Sequence, residues 1–262
     1  MDIEIHDNTY ADYFCHIFQH LKLFSDHINL RFDNDKLYVQ TMDASHITIG
    51  EITLNKEWFD IYNYKSNTEQ IVLGVSSSVF YKVMNTREKN QVLCLNYDEN
   101  QSDRLYVHFK NKDNTTFGKH FELPLMDLET DVMEIPDFDS NIRIKMLSAK
   151  FASLIQQLQI FGDSVNFHCR TDKIQLSSNT LENGKMEVDI DNSMLDKYEL
   201  EDDTELTLSF ALFKMHDICM YSKISKEIMI ILTENYPIKI IYSVGENHGK
   251  MTFYLAPKMN ED

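Results

Sequence analysis

The feature that most limits what this chain can fold into is a repeat. Aligned without a gap, LKLFSDHINLRFDNDKL (residues 21–37) lies over LQIFGDSVNFHCRTDKI (158–174). Leu21, Phe24, Asp26, Asn29, Asp35 and Lys36 coincide with Leu158, Phe161, Asp163, Asn166, Asp172 and Lys173. Ile28/Val165 and Leu37/Ile174 keep their apolar character, and Phe14 meets Phe151. Self-similarity at a fixed spacing marks a duplicated structural unit, so the chain is read as two similar halves.

Each half then carries the same plan. In the first, Asn8 is the expected N-cap of a helix whose Tyr10, Phe14, Ile17, Phe18, Leu21 and Phe24 recur at helical spacing. In the second, Ser148 is the expected cap of a helix with Phe151, Leu154, Ile155 and Leu158 inward and Gly162 as its stop. Alternating segments follow each helix (INLRF, KLYVQ; VNFHC, KIQLS), bounded by Asp, Asn or Ser, and read as antiparallel strands. A shorter helix recurs later, at SSSVFYKVMN (76–85) and from about Leu212 to Tyr221, with further strands after it (QVLCLNYD, RLYVHFK; EIMIILT, PIKIIYSV). Between the halves, LPLMDLETDVMEIPDFD has acidic residues, Pro124 and Pro136 and no sustained period, as a connector has. The expected class is α+β: residues 1–120, a connecting strap at 121–137, and residues 138–262.

Composition narrows the function. The hydrophobic share, 43% of 262 residues, supplies a substantial core, and seven Gly and four Pro argue against disordered linkers. The longest wholly apolar run, Ile228 to Leu232, is far short of the roughly 20 residues of a membrane span, and the start MDIEIHD lacks the features of a signal peptide. The expectation is a chain neither secreted nor membrane-spanning. Cys15, Cys94, Cys169 and Cys219 stand far apart, as free thiols of a reducing cytosolic or nuclear compartment do. A formal charge of −17 argues against a polyphosphate partner unless the few basic residues are gathered on one surface.

Several stretches resemble one family. VQTMDASHITI (39–49) with ITLNKEWFDIY after it, LMDLETDVMEIP at the strap, FGDSV after the third helix and FYLAPK near the C-terminus are similar, in colinear order, to the eukaryotic-type sliding clamp, proliferating cell nuclear antigen. The resemblance implies a divergent member, viral or protist, with the DNA-clamp fold: two duplicated domains of antiparallel sheets, whose helices line a homotrimeric ring around duplex DNA. It implies a processivity factor that binds DNA without regard to sequence, is placed by a clamp loader, and tethers DNA polymerase and repair enzymes by short peptide motifs. It implies a nuclear location, or a cytoplasmic replication site for a viral member. The runner-up is a clamp-fold scaffold that binds partner peptides without encircling DNA.

The resemblance also assigns residues. The DNA-facing lining comprises His16, His20, Lys22, Lys82, Asn85, Arg87, Lys150, Ser153, Gln156, Lys214 and His216, with Lys89 and Lys223 just beyond the helices. Cys15, His16, Asn85, Ser153, Gln156 and Met220 stand where relatives usually carry Lys or Arg, so a shallow salt dependence of DNA retention is expected. The partner-peptide groove comprises Met42, His46, Ile47, Met133, Ile135, Pro136, Pro237, Tyr254, Leu255, Ala256 and Pro257. Its apolar floor suits aromatic side chains, and an extended strap can bond a peptide backbone by strand addition. Acidic Asp127, Glu129, Asp131 and Glu134 on the strap can steer basic partner tails. The plausible subunit edges are the strands near EKNQVLCLNYD and SSNTLENGKMEVDI.

Catalytic readings find little. HIFQH places His16 and His20 one helical turn apart but lacks the Glu of H-E-x-x-H and a third ligand. GENHGK (245–250) is one residue short of a P-loop and lies in a hairpin setting between strand runs. No G-x-S-x-G is present, and no enzyme, metal or cofactor is expected.

Overall fold

The computed structural model describes residues 1–113, 117–128, 131–136, 138–201 and 205–258. The first half runs β1 (Asp2–Ile5), α1 (Asn8–Leu21), β2 (His27–Phe32), β3 (Lys36–Met42), β4 (Thr48–Asn55), a 3-10 turn at Lys56–Trp58, β5 (Ile61–Asn63), β6 (Ile71–Ser76), α2 (Ser77–Met84), β7 (Gln91–Asn96), β8 (Arg104–Asn111) and β9 (Lys119–Pro124). The second runs β10 (Ile142–Leu147), α3 (Ser148–Leu158), β11 (Ser164–Cys169), β12 (Lys173–Thr180), β13 (Gly184–Asp191), a 3-10 turn at Asn192–Met194, β14 (Lys197–Leu200), β15 (Leu206–Ala211), α4 (Leu212–Cys219), β16 (Glu227–Leu232), β17 (Ile238–Val244) and β18 (Gly249–Leu255). Strands and α-helices come in the same order in both halves, each with a 3-10 turn after its fourth strand, so the sequence repeat is a structural duplication.

Two compact units divide the chain. The first takes Met1–Ala44, Gly50–Met133 and Ser243–Met251, and the second takes Ser45–Ile49, Glu134–Tyr242 and the chain from Thr252. In the first, a five-stranded antiparallel sheet has the order β5-β1-β7-β8-β9, and β3, β2 and β6 follow one another in a second sheet. Register is set by strict alternation. Val107 and Phe109 on β8 and Phe121 and Leu123 on β9 turn to one face, while the cross-strand pair His108 and His120 turns to the other. Aromatic rings from both helices fill the core: Phe14 and Phe18 lie 4.6 Å apart, Phe18 meets Phe80 edge-on at 4.9 Å, and buried Trp58 lies 6.2 Å from Phe14.

In the second unit β13-β12-β11-β15 form one antiparallel sheet, and β14, β10, β16 and β17 neighbour one another in that order. Phe151, Phe167 and Phe210 stack through its core at 6.4 and 5.8 Å, and buried Tyr221 and Tyr242 complete it. The five-stranded sheet ends in β5 and β9 and the four-stranded one in β13 and β15, so β9 and β13 are edge strands.

Several sequence expectations shift. The cap of α1 is Asp7, whose carboxylate accepts from Thr9 N (2.8 Å) and Tyr10 N (3.0 Å); Asn8 is the first helical residue. Ser148 likewise opens α3 without capping it, because its hydroxyl is spent on the carbonyls of Ser222, Ser225 and Lys226. Gly162 is not a left-handed stop. It lies where a β-carbon would come within 2.9 Å of Asn179 O, so close packing requires it. QVLCLN is β7, paired on both sides by β1 and β8, so the edges of that sheet are β5 and β9 instead. Residues 121–124, read as strap, are the last four residues of β9. GENHGK is the expected hairpin turn, with positive φ at Gly245, Glu246 and Asn247 and His248 N bonded to Gly245 O (2.9 Å).

Candidate functional site

The helices come first. On α1 and α2, which pack together, the apolar stripe turns inward and leaves Lys22, Lys82 and Asn85 exposed and His16 half-buried. The ammonium of Lys22 sits over the Tyr81 ring, 4.2 Å from its centroid. Two expected lining residues are placed differently. His20 is buried, its ring parallel to that of His16 at 6.5 Å. The Arg87 side chain is 3% exposed. Its guanidinium donates to Asp12 Oδ1 (2.6 Å), Asn8 Oδ1 (3.0 Å) and Gln91 O (3.2 Å). A fork so occupied is a structural clamp between α1 and the chain after α2, and it is not presented to phosphate. Cys15 lies beside it, donating to Met84 O (3.6 Å), and burial pushes its thiol up to about 12.

On the second unit's helices, Lys150, Ser153 and Gln156 are exposed on α3 and His216 is half-buried on α4. Lys214 is buried, with its Nζ 5.2 Å from the centroid of the Phe213 ring. Periodicity treats each helix as if alone. Here α3 and α4 pack together, so exposure on either does not follow from its own period. The lysines of the whole set that are exposed are thus Lys22, Lys82 and Lys150, with Lys89 and Lys223 exposed just beyond the helices.

The strap residues of the first unit flank a cleft of about 490 Å³ between β2, β3 and the strap, lined by Ile28, Asn29, Thr41, Met42, Leu128 and Val132 among others. Met42 is half-buried and Met133 exposed at its rim. Asp127 and Asp131 are exposed, while Glu129 lies outside the described residues. The strap is fastened at separate points: Met126 N to Gly74 O (2.9 Å), Asn29 Nδ2 to Leu128 O (3.2 Å), and Gln40, whose amide bonds both the N–H and the C=O of Met133. Neither Asn29 nor Gln40 was singled out by a sequence motif for this work; a polar residue on an alternating strand carries no such signal.

In the second unit His46 adopts φ +59°, which explains a turn without Gly: a side chain of this kind tolerates the left-handed region, if less readily than Asn. Ile47 O accepts from Ala256 N (2.9 Å), which joins the turn to the C-terminal segment. Ile47, Ile135, Pro237, Ala256 and Pro257 are half-buried, and His46, Pro136 and Glu134 are exposed. Tyr254 is largely buried, with Lys239 Nζ 5.5 Å from its ring centroid, and Leu255 is fully buried. Leu255 belongs to the core and supports this surface from beneath.

Sequence profiles settle the ancestry. The profile described as "Proliferating cell nuclear antigen, N-terminal domain" matches residues 6–133, and its C-terminal counterpart matches residues 134–258. The chain belongs to the proliferating cell nuclear antigen family. A solved structure, the PCNA2-PCNA3 complex from Sulfolobus tokodaii, is similar across 98% of this chain and 99% of that one, with 26% identity and a TM-score of 0.85. The fold is therefore the clamp fold, with two domains of antiparallel sheets and few helices, and the role is that of a sliding clamp and processivity factor in DNA replication. Members of the proliferating cell nuclear antigen family are non-catalytic scaffolds that multimerise, encircle DNA and bind polymerase and other partners.

Proposed function

We propose that three copies of this chain close into a ring around duplex DNA, without catalytic activity of their own, and that the ring tethers polymerase and other enzymes by peptides held at the strap. The observation that carries this reading is that each half presents an edge strand, β9 on the five-stranded sheet of the first and β13 on the four-stranded sheet of the second. One edge of a subunit against the other edge of the next is a head-to-tail contact, which closes when the rotation allows. Half-buried Phe121 on β9 and Met186 and Val188 on β13 offer apolar surface for that contact.

The electrostatics follow from topology. A closed ring stays on DNA without strong phosphate contacts, so an acidic body with a sparse basic lining permits sliding. At the strap, apolar Met42 and Met133 beside the cleft suit aliphatic and aromatic side chains of varied partners. A clamp loader opens the ring in this reading.

The thin lining also favours the scaffold alternative, because Arg87 and Lys214 are withdrawn from it. Sedimentation at physiological salt across dilution separates the two. A species of three 30.9 kDa chains supports the ring, and a monomer at every concentration, with or without DNA, supports the scaffold.

A further inference from the structure

The strap meets the first unit through side chains as much as through backbone. Its start is paired in the ordinary way, as an isolated antiparallel bridge between Gly74 and Met126. There a β-carbon on Gly74 would fall 2.2 Å from Met126 O, so only Gly permits the approach. Its far end has a different partner. Gln40 Oε1 accepts from Met133 N (2.8 Å) and Gln40 Nε2 donates to Met133 O (2.9 Å). One primary amide thus reproduces the two-bond ring that a neighbouring residue forms in an antiparallel ladder.

The amide has one workable orientation. Nε2 also faces Glu51 Oε1 (3.3 Å), which accepts from the Tyr38 hydroxyl (2.6 Å). Turned over, the amide would set its oxygen against both the Glu51 carboxylate and Met133 O, and its NH2 against Met133 N–H. Tyr38 and Glu51 therefore hold Gln40 in the sense that matches the strap.

We propose that Gln40 is a positioning residue that latches Met133 and so keeps the strap in the conformation that accepts a partner peptide. Because the latch is a side chain, it fixes the strap at this point without committing a strand to it. The proposal rests on the reading of the strap as the peptide-binding element. A clamp whose strap is released binds only from the fraction of molecules in which the strap returns, and its apparent affinity falls by that fraction.

The test uses the full chain, with hydrogen-exchange mass spectrometry over the strap and fluorescence anisotropy with a labelled peptide carrying Gln, an aliphatic residue and two aromatics. Gln40→Ala is expected to lose the protection of the Met133 amide, to keep that of β2 and β3, and to weaken peptide binding about tenfold. Gln40→Glu sets two carboxylates against each other and is expected to do the same. Adding Glu51→Gln removes the carboxylate repulsion but not the missing donor to Met133 O, so the double variant should still bind more weakly than the unaltered protein. Unchanged Met133 protection in Gln40→Ala, unchanged peptide affinity despite lost protection, or a double variant that binds as tightly as the unaltered protein would overturn the proposal. Absence of peptide binding by the unaltered protein would overturn the partner reading, and exchange at Met133 would then still decide whether Gln40 holds the strap.

Discussion

Replacing Arg87 with Met tests whether that cation holds the fold or meets DNA. Its three hydrogen bonds run to Asp12, Asn8 and Gln91 O, and its side chain is 3% exposed. Breaking a fully buried ion pair costs about 3–5 kcal/mol. Here the loss is smaller, because the Asp12 side chain is 49% exposed and rehydrates once its partner is gone. Asn8 Oδ1 also keeps its bond from Asn90 N (3.1 Å). That leaves Gln91 O as the one acceptor losing its partner outright, and a hydrogen bond to a charged group is worth roughly 1.5–3 kcal/mol, so about 2–3 kcal/mol is expected in total. Trp58, the sole tryptophan, is 2% exposed in the same unit and reports its unfolding. With a urea dependence of about 2–3 kcal/mol/M, the midpoint by Trp58 fluorescence should fall by roughly 1 M. The salt dependence of DNA retention should not change. A midpoint shift under about 0.3 M together with weaker DNA retention would refute the structural role.

Two further predictions concern charge and pH. Lys82→Ala, at an exposed position, should lower the slope of log Kobs against log salt by about 1 for each phosphate it no longer neutralises, whereas Lys214→Met, at a buried one, should leave it unchanged. Burial pushes the Cys169 and Cys219 thiols up to about 12, while an unfolded thiol titrates near about 8.5. A raised folded value favours the neutral thiol, so this contribution to stability is complete below the unfolded value and declines as pH rises toward 12. Urea titrations should show about 1.4 kcal/mol lost per thiol by about pH 9.5, and equal stability at pH 7.5 and 9.5 would contradict it.

What the sequence made legible is what repeats or alternates. The duplication, the helix faces and the strand runs all follow from side-chain periodicity, and the two halves do share one element order. Sheet order does not follow from it: β7 has the same apolar run whether it is central or at an edge, and only pairing with β1 and β8 decides. Lys214 and Arg87 show a second limit. A basic residue on the polar side of one helix reads as solvent-facing, yet a second helix or an Asp from elsewhere in the chain can enclose it. The strap latch shows a third, since Gln40 and Met133 are remote in sequence and neither residue type marks the pairing.

The central claim is that this chain surrounds DNA. The protein can be threaded onto a linear duplex biotinylated at both ends, the ends blocked with streptavidin, and the mixture passed over a sizing column at high salt. If the chain surrounds DNA, protein elutes with blocked DNA, is absent from unblocked DNA, and is released when a restriction enzyme cuts the duplex. Equal elution with blocked and unblocked DNA, or loss from both, would contradict it.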